Sequence, residues 1–211
     1  MLTNKDVAIF GVNWPEVDGV AYIYQCIEQG YNIETYYSLA DLFKILQCSP
    51  NKECILIIQP HNNAYFLYTL SQSFWWANIK IVTDTLYLSD RVILSALGFS
   101  DATTFGTLIH AKKLSFSSAG ISRFPSLDDF DKREFLIFIN KVIINRLKEW
   151  GITEMQKKVL SYAVKGESNY TIGRRLKISD KTVSSHKIEA IKKLPHGRDR
   201  FAITKGLRAQ S

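Results

Sequence analysis

One short segment of the sequence carries most of the side chains that could do chemistry. It runs from Asn169 to Ile188 and reads NYTIGRRLKISDKTVSSHKI, with six basic residues, counting His186, and one acidic residue. Lysine and arginine at a surface attract polyanions, and serine and threonine hydroxyls can form hydrogen bonds with base edges. Apolar residues recur between the polar ones at helical spacing. We therefore expect an ordered apolar scaffold that presents a positive surface.

The positive charge is concentrated in the last part of the chain. The 211 residues include 27 Lys and Arg and 20 Asp and Glu, a net charge of +7. Residues 1–150 hold 13 basic and 15 acidic residues, and residues 151–211 hold 14 and 5, so the two parts carry −2 and +9. Residues 151–211 are therefore predicted to form a separate basic domain that binds a polyanion, either nucleic acid or an anionic membrane.

This basic domain is predicted to contain four helices within residues 152–206. Thr153 can cap the first helix, with Gln156 in the capping-box position. The second helix lies in ESNYTIGRRLKI, the third in DKTVSSHKIEAIKKL and a short fourth in RDRFAITKGL. Ser179 is the expected N-cap of the third helix, which Pro195 stops. The second and third helices form a helix-turn-helix, held at a fixed angle by Ile172, Leu176, Ile178 and Val183.

The segment ITEMQKKVLSYAVKGESNYTIGRRLKISDKTVSSHKIEAIKKL resembles the LuxR/FixJ/NarL DNA-binding domain. Its spacing agrees with the family pattern without a gap. Gln156 stands where the family usually has Glu, Gly173 where it has Ala, and Ala190 where a larger aliphatic residue is usual, which is expected to loosen local packing. The matching positions are Ile152-Thr153, Val159-Leu160, Gly166, Ser168-Asn169, Ile172, Leu176, Ile178-Ser179, Thr182-Val183, His186 and Lys193-Leu194.

The resemblance implies that the third helix enters the major groove of double-stranded DNA. KTVSSHK also resembles the narrower group of RcsA-like capsule regulators. His186 is given a scaffold or backbone-facing role, without catalysis or metal binding. The implied DNA-binding residues are Ser184, Ser185, Lys187 and Ile188 in the groove, Lys181 and Thr182 on phosphate, and Lys192.

The first half of the chain alternates between two kinds of segment. Apolar β-rich runs alternate with segments of helical periodicity, which predicts a parallel sheet wrapped by helices. The predicted strands are 5–12, 31–38, 53–60, 78–85 and 101–108, and the predicted helices are 16–30, 39–48, 63–75 and 87–98.

A break and a long helix follow this alternation. Residues 114–126 are rich in serine, with Gly120 and Pro125, and form the predicted linker. Residues 126–150 are a predicted helix that Ser126 can cap. This helix could close the first domain, connect the two domains, or pair with another subunit.

The alternating half resembles a response-regulator receiver that has lost its acidic residues. The first predicted strand ends FGVNW without an acid, Gln59 stands at the place of the phosphate acceptor, and TTFGTL has no lysine. Thr83 or Thr85 could match the Ser or Thr that ends the fourth strand of a receiver. Without these carboxylates neither phosphorylation nor a magnesium site is expected. The predicted domains are 1–125, a pseudo-receiver; 126–150, a connecting helix; and 151–211, the DNA-binding domain.

Several classes of protein are not indicated. The sequence shows no catalytic triad, nucleotide loop or paired catalytic carboxylates, so we expect no enzyme, no cofactor and no metal site. The three cysteines, Cys26, Cys48 and Cys54, are expected to be reduced and packed. No window is apolar enough to cross a membrane and the N-terminus lacks a signal pattern, so a cytoplasmic location is expected, with bacterial nucleoid association when DNA is bound.

The expected function is transcription regulation, controlled by assembly and not by aspartyl phosphorylation. The resemblance implies a homodimer or a heterodimer with a related response regulator. The alternative is a non-DNA interaction protein whose basic domain binds a protein partner or an anionic surface. Core packing, a protein interface and a small-ligand pocket remain open for the aromatic residues Tyr65, Phe66, Tyr68, Phe74, Trp75 and Trp76.

Overall fold

The computed structural model describes residues 5–27, 31–49, 51–111 and 130–194. Five strands form one sheet in the order β2-β1-β3-β4-β5, and every neighbouring pair is parallel. The strands are β1 (Lys5–Phe10), β2 (Tyr31–Tyr36), β3 (Glu53–Ile57), β4 (Ile79–Thr83) and β5 (Ala102–Thr104).

Nine α-helices lie within the described residues. Five of them alternate with the strands: α1 (Trp14–Ile27), α2 (Leu39–Cys48), α3 (Ala64–Ser73), α4 (Leu88–Ala96) and α5 (Phe105–Ile109). A 3-10 turn, Pro60–Asn62, precedes α3. The other four helices are α6 (Lys132–Glu149), α7 (Glu154–Val164), α8 (Asn169–Leu176) and α9 (Asp180–Lys193).

The central strands are apolar on both faces because helices cover both sides of the sheet. Alternate residues of β1 belong to two different clusters: Val7 and Ile9 pack with α1 and α5, and Ala8 and Phe10 pack with the opposite layer. That opposite layer contains residues of α2, α3, α4 and α6. The sequence-based prediction of a parallel sheet wrapped by helices is confirmed.

The predicted fifth strand, 101–108, is wrong in its second half. The strand ends at Thr104, whose hydroxyl accepts a hydrogen bond of 3.2 Å from the Thr107 backbone N–H and so caps α5. A capped helix begins where the sequence pattern indicated a continuing strand. The predicted linker, 114–126, lies outside the described residues.

The long helix α6 begins at Lys132, and its N-cap is Asp131. The cap predicted from the sequence was Ser126, five positions earlier. Asp131 and Glu134 form a reciprocal capping box, in which each side chain accepts a hydrogen bond from the other residue's backbone N–H. The buried stripe of α6 packs against the first half of the chain, where the Phe135 ring stacks on Tyr68 with centroids 4.5 Å apart. The stripe consists of Phe135, Ile139, Ile143 and Leu147.

The cysteines differ in their surroundings. All three are free thiols, but only Cys54 is buried, so the expectation of packed thiols is wrong for Cys26 and Cys48. Burial raises the pKa of the Cys54 thiol to about 12. Within the described residues, no helix combines the length and hydropathy required to cross a membrane.

The aromatic residues of the third helix and the loop after it divide into two groups. Tyr68 and Phe74 are buried, and Tyr65 and Phe66 pack against the same core. Trp75 and Trp76 remain 43% and 38% exposed. Core packing therefore explains the first four aromatic residues and does not explain the two tryptophans.

Replacing Phe135 with alanine tests whether α6 is part of the core. Phe135 is 0% exposed, so Phe135→Ala is expected to lower the free energy of unfolding by about 3–5 kcal/mol. Ile137 lies on the same helix and is 63% exposed, so Ile137→Ala is expected to change it by less than about 0.5 kcal/mol. Urea denaturation followed by circular dichroism measures both, and equal effects would show that α6 does not pack as described.

Candidate nucleic-acid interface

The first helix of the basic domain begins at the predicted capping box. The Thr153 hydroxyl accepts a hydrogen bond of 3.2 Å from the Gln156 backbone N–H, and the Gln156 side-chain oxygen accepts one of 3.1 Å from the Thr153 N–H. Gln156 is only 2% exposed. The cap predicted from the sequence is confirmed.

Gln156 also ties α7 to α9. Its amide nitrogen donates to Glu189 over 3.2 Å, and its oxygen accepts from the Lys193 ammonium over 3.0 Å. Lys193 also donates to the Gly151 carbonyl over 2.8 Å. A glutamate in place of Gln156 could not donate to Glu189, so the departure from the family pattern has a structural reason. No local spacing in the sequence indicates this pairing, because 33 positions separate Gln156 from Glu189.

A small apolar cluster sets the angle between α8 and α9. Val159, Ile172 and Val183 are fully buried, and Leu176 and Ile178 pack against them. These include all four residues that the sequence analysis assigned to the scaffold. Ala190 is likewise fully buried, in the cluster that contains Leu160 and Leu194.

The turn between the two helices requires a glycine at position 173. A Cβ atom on Gly173 would lie 2.7 Å from the Ile178 carbonyl oxygen, which is closer than real Cβ contacts allow. The Ile178 backbone N–H donates to the Gly173 carbonyl over 3.0 Å, and Lys177 closes α8 in the left-handed region at φ 55°. The turn passes so close to α8 that only a residue without a side chain fits.

The recognition helix α9 presents one exposed face. Residues of an α-helix follow one another at about 100° of rotation, which places five of the predicted DNA-binding residues in a sector of about 100°. Lys181, Ser185 and Lys192 are exposed, Ile188 is 52% exposed and Ser184 is half-buried. Val183 and Ala190, on the opposite side, are fully buried. We call these five residues, Lys181, Ser184, Ser185, Ile188 and Lys192, the α9 face.

The other two predicted residues lie to the sides of this face. Thr182 shares a hydrogen bond of 2.8 Å with the hydroxyl of Ser179, which also caps α9 by accepting from the Thr182 N–H over 3.0 Å. Lys187 is half-buried, and its ammonium donates to the Asn169 side-chain oxygen over 3.4 Å. The structure thus gives Thr182 a capping role and Lys187 a role in joining α8 to α9.

Some basic side chains of the domain form ion pairs within it, and others are exposed without an ion pair among the described residues. Arg175 forms an ion pair of 3.0 Å with Glu167 and lies over the Tyr162 ring. Arg174 is exposed beside the Tyr170 ring. In the described part of the chain, Lys181 and Lys192 form no ion pair, so their charges remain available to phosphate groups.

The residues that would correspond to the phosphorylation site of a receiver lie at the carboxyl edge of the sheet. Gln59 follows β3, and its side-chain oxygen is buried without a hydrogen-bond partner. Thr83 ends β4, is 1% exposed, and donates to the Thr85 carbonyl over 3.4 Å. Of the two threonines that the sequence left open, Thr83 is the one that ends the strand.

A buried His–Asp pair beside this edge was not found from the sequence. The Asp90 carboxylate is fully buried, accepts from the His61 backbone N–H over 2.7 Å, and lies 2.9 Å from the His61 Nδ1 atom. It also accepts from the Tyr87 N–H over 2.8 Å. Asp90 stands in an ordinary helical pattern, which contains no signal for such a contact.

Residues 151–203 match the family model described as bacterial regulatory proteins, luxR family. The basic domain is a luxR-type helix-turn-helix domain. The match agrees with the scaffold, the caps and the exposed α9 face. No curated protein sequence matches the chain at a significant level.

Solved structures of two-domain response regulators are similar to the chain as a whole. The DNA complex of the two-component response regulator RcsB is 17% identical, with a TM-score of 0.51 over 90% of this chain and 92% of that one. A structure of two RcsB dimers bound to two parallel DNAs is 17% identical over the same shares, with a TM-score of 0.49. Full-length FixJ from B. japonicum is 11% identical over 90% of each chain, with a TM-score of 0.38. The first likeness shows the fold, a five-stranded parallel sheet with flanking helices followed by a helical domain.

The close turn at Gly173 yields a stability test. Gly173→Ala forces the Ile178 carbonyl to move and is expected to lower the free energy of unfolding by about 1–3 kcal/mol. Gly19→Ala in α1 is the matched control, because nothing lies within 4 Å of its Cβ position. The control is expected to raise stability by about 0.5–1 kcal/mol through helix propensity. Thermal denaturation compares the two, and a stabilising Gly173→Ala would contradict the described turn.

Proposed function

We propose that this protein is a sequence-specific regulator of transcription that binds double-stranded DNA and is not an enzyme. The observation that carries the proposal is the α9 face, a one-sided exposed surface of serines, lysines and Ile188 on a luxR-type scaffold. The solved structure of RcsB that is similar in fold is a complex with DNA, which supports the proposal that this protein binds DNA. The domain divisions 1–125, 126–150 and 151–211 and a cytoplasmic, nucleoid-associated location belong to this proposal.

The residues of the α9 face divide into two roles. Lys181 and Lys192 are at the two ends of the face and bind phosphate, which adds affinity without reading sequence. Ser184 and Ser185 form hydrogen bonds with base edges, and Ile188 packs against a thymine methyl group. Thr182 and Lys187 support this face from its sides through Ser179 and Asn169.

Separate substitutions distinguish these two roles. Lys181→Ala is expected to weaken binding to every duplex and to reduce the salt slope by about one, because one phosphate contact is lost. Ser184→Ala and Ile188→Ala are expected to change the preferred sequence, at about 1–3 kcal/mol for each affected base pair. Selection from a random duplex library and titrations at several salt concentrations measure both effects.

Lys44→Ala is the control for total charge, since Lys44 is an exposed lysine on α2. It is expected to leave the salt slope and the preferred sequence unchanged. If the Ser184 and Ile188 variants select the same sequence as the parent, the proposed role of α9 is wrong. If binding shows no dependence on base sequence at all, the alternative of a non-DNA interaction protein with a basic domain is favoured.

Control of this regulator is proposed to come from assembly and not from phosphorylation. Gln59, which follows β3, has a side-chain amide that cannot accept a phosphoryl group as an aspartate does. Two copies of the DNA-binding domain on paired half-sites supply more phosphate contacts than one, so a homodimer or a heterodimer with a related response regulator is required for full affinity. The isolated domain from about residue 149 onward is therefore expected to bind a single half-site weakly.

Incubation with acetyl phosphate and Mg²⁺ tests this mode of control. The intact mass and the DNA affinity are expected to stay unchanged, because the chain lacks the acceptor at the end of β3. Addition of a second regulator chain, or a duplex with paired half-sites, is expected to raise the affinity instead. A stable phosphoryl adduct on an aspartate of residues 1–125, accompanied by tighter DNA binding, would overturn the proposal.

A further inference from the structure

A second positive surface lies beside the α9 face, on the first helix of the helix-turn-helix. Tyr170 and Arg174 are four positions apart on α8, so their side chains share one side of the helix. Both are exposed, Tyr170 to 66%, and the Arg174 guanidinium lies over the Tyr170 ring at 6.0 Å from its centroid. Neither residue belongs to the apolar cluster that holds α8 against α9, so the scaffold does not account for this pair.

The pair lines an open groove of about 600 Å³, which we call the α8 groove. The groove extends from α8 to the start of α9, and its other charged residues are Lys177 and Asp180. Asp180 is the first residue of α9, and its carboxylate accepts a hydrogen bond of 2.9 Å from the Lys181 backbone N–H. The α8 groove therefore adjoins the α9 face, whose first member is Lys181.

The two adjacent arginines of α8 differ in their partners. The Arg175 Nε atom lies 3.0 Å from the Glu167 carboxylate, and the Arg175 guanidinium lies over the Tyr162 ring of α7. Arg174 is exposed and forms no ion pair within the described part of the chain. Arg175 thus joins α8 to its neighbours, whereas the guanidinium of Arg174 is open to an anion from outside the domain.

We propose that the α8 groove binds a phosphate group of the DNA backbone through Arg174, which the Tyr170 ring positions. This inference rests on the proposed DNA-binding function and adds a contact outside α9. When the second helix of a helix-turn-helix enters the major groove, the first helix crosses the backbone, which brings α8 to a phosphate. A guanidinium donates two hydrogen bonds in a fork that matches phosphate oxygens, and stacking on an aromatic ring restricts its orientation.

The position of the α8 groove favours DNA over an acidic protein segment as its partner. DNA that occupies the α9 face extends past the start of α9, where Lys181 and the groove lie next to each other. The two cations of the groove, Arg174 and Lys177, outnumber its one carboxylate, so the local charge attracts a polyanion. A phosphate contact adds affinity for every duplex and carries no sequence information.

The adjacent arginines provide a matched pair of variants, since Arg174→Ala and Arg175→Ala each remove one positive charge from α8. Arg174→Ala is expected to lower the affinity of the full-length protein for every duplex by about three- to tenfold, and the salt slope by about one. Arg175→Ala is expected to keep the parental salt slope. Lys44→Ala, on α2, is a second charge control that leaves the ion pair of α8 intact.

Fluorescence anisotropy at several salt concentrations measures these effects. The probes are a duplex recovered by selection with the parent and a random-sequence duplex of the same length. The ratio of the two affinities is expected to stay that of the parent in Arg174→Ala, because the lost contact is to phosphate and not to a base.

Two substitutions of Tyr170 test its positioning role. Tyr170→Phe keeps the aromatic ring and is expected to bind as the parent does. Tyr170→Leu removes the ring and is expected to weaken binding to both duplexes by about two- to fivefold. In the Arg174→Ala background Tyr170→Leu is expected to have no further effect, because the ring acts through the guanidinium.

Four outcomes would overturn the proposal. They are parental affinity and salt slope in Arg174→Ala, an equal loss of slope in Arg175→Ala and Lys44→Ala, a changed ratio of the two affinities in Arg174→Ala, and an effect of Tyr170→Leu that persists without Arg174. Lys181→Ala on the same duplexes separates these results from a failure of the proposed function. A loss in Lys181→Ala alone removes only the α8 groove, whereas a parent that binds neither duplex removes both proposals.

Discussion

The buried stripe of α6 is the contact on which the joining of the two halves depends. Phe135 and Ile139 belong to the same continuous cluster as residues of α3 and α4, and this cluster extends through Leu147 and Ile152 to Leu160 of the helix-turn-helix domain. Apolar burial is not directional, so the stripe alone would not fix a position. The capping box at Asp131 fixes the start of the helix, and the stacking of Phe135 on Tyr68 fixes its location on the sheet domain.

The position of the carboxyl edge of the sheet is set by the architecture and not by the residues that stand there. Parallel strands covered on both faces bring their last residues to one edge, where Gln59 follows β3 and Thr83 ends β4. At this edge, the fully buried Asp90 joins the turn after β3 to the start of α4 by accepting hydrogen bonds from the backbone N–H groups of His61 and Tyr87. A buried carboxylate with several donors is costly to leave unpaired, which makes this connection a rigid part of the edge.

In the helix-turn-helix domain, the residues that hold the helices together are different from those of the exposed α9 face. The network of Gln156, Glu189 and Lys193 uses charged and amide groups to hold α7 against α9. The ion pair of Arg175 with Glu167 likewise belongs to the scaffold. These groups satisfy one another, whereas Lys181 and Lys192 of the α9 face are exposed and form no ion pair among the described residues.

Local sequence pattern determined much of the secondary structure of this protein. The alternation of strands and helices, the caps at Thr153 and Ser179 and the one-sided α9 face all follow from spacing within a few residues, which is where propensity and capping act. The sequence placed the end of β5 and the start of α6 wrongly, since a helix boundary depends on a single hydrogen-bonding side chain. Tertiary structure alone decided the Asp90 contact with His61 and the meeting of Gln59 and Thr83 at the sheet edge. These residues are far apart in the chain, and only the closing of the parallel sheet brings them together.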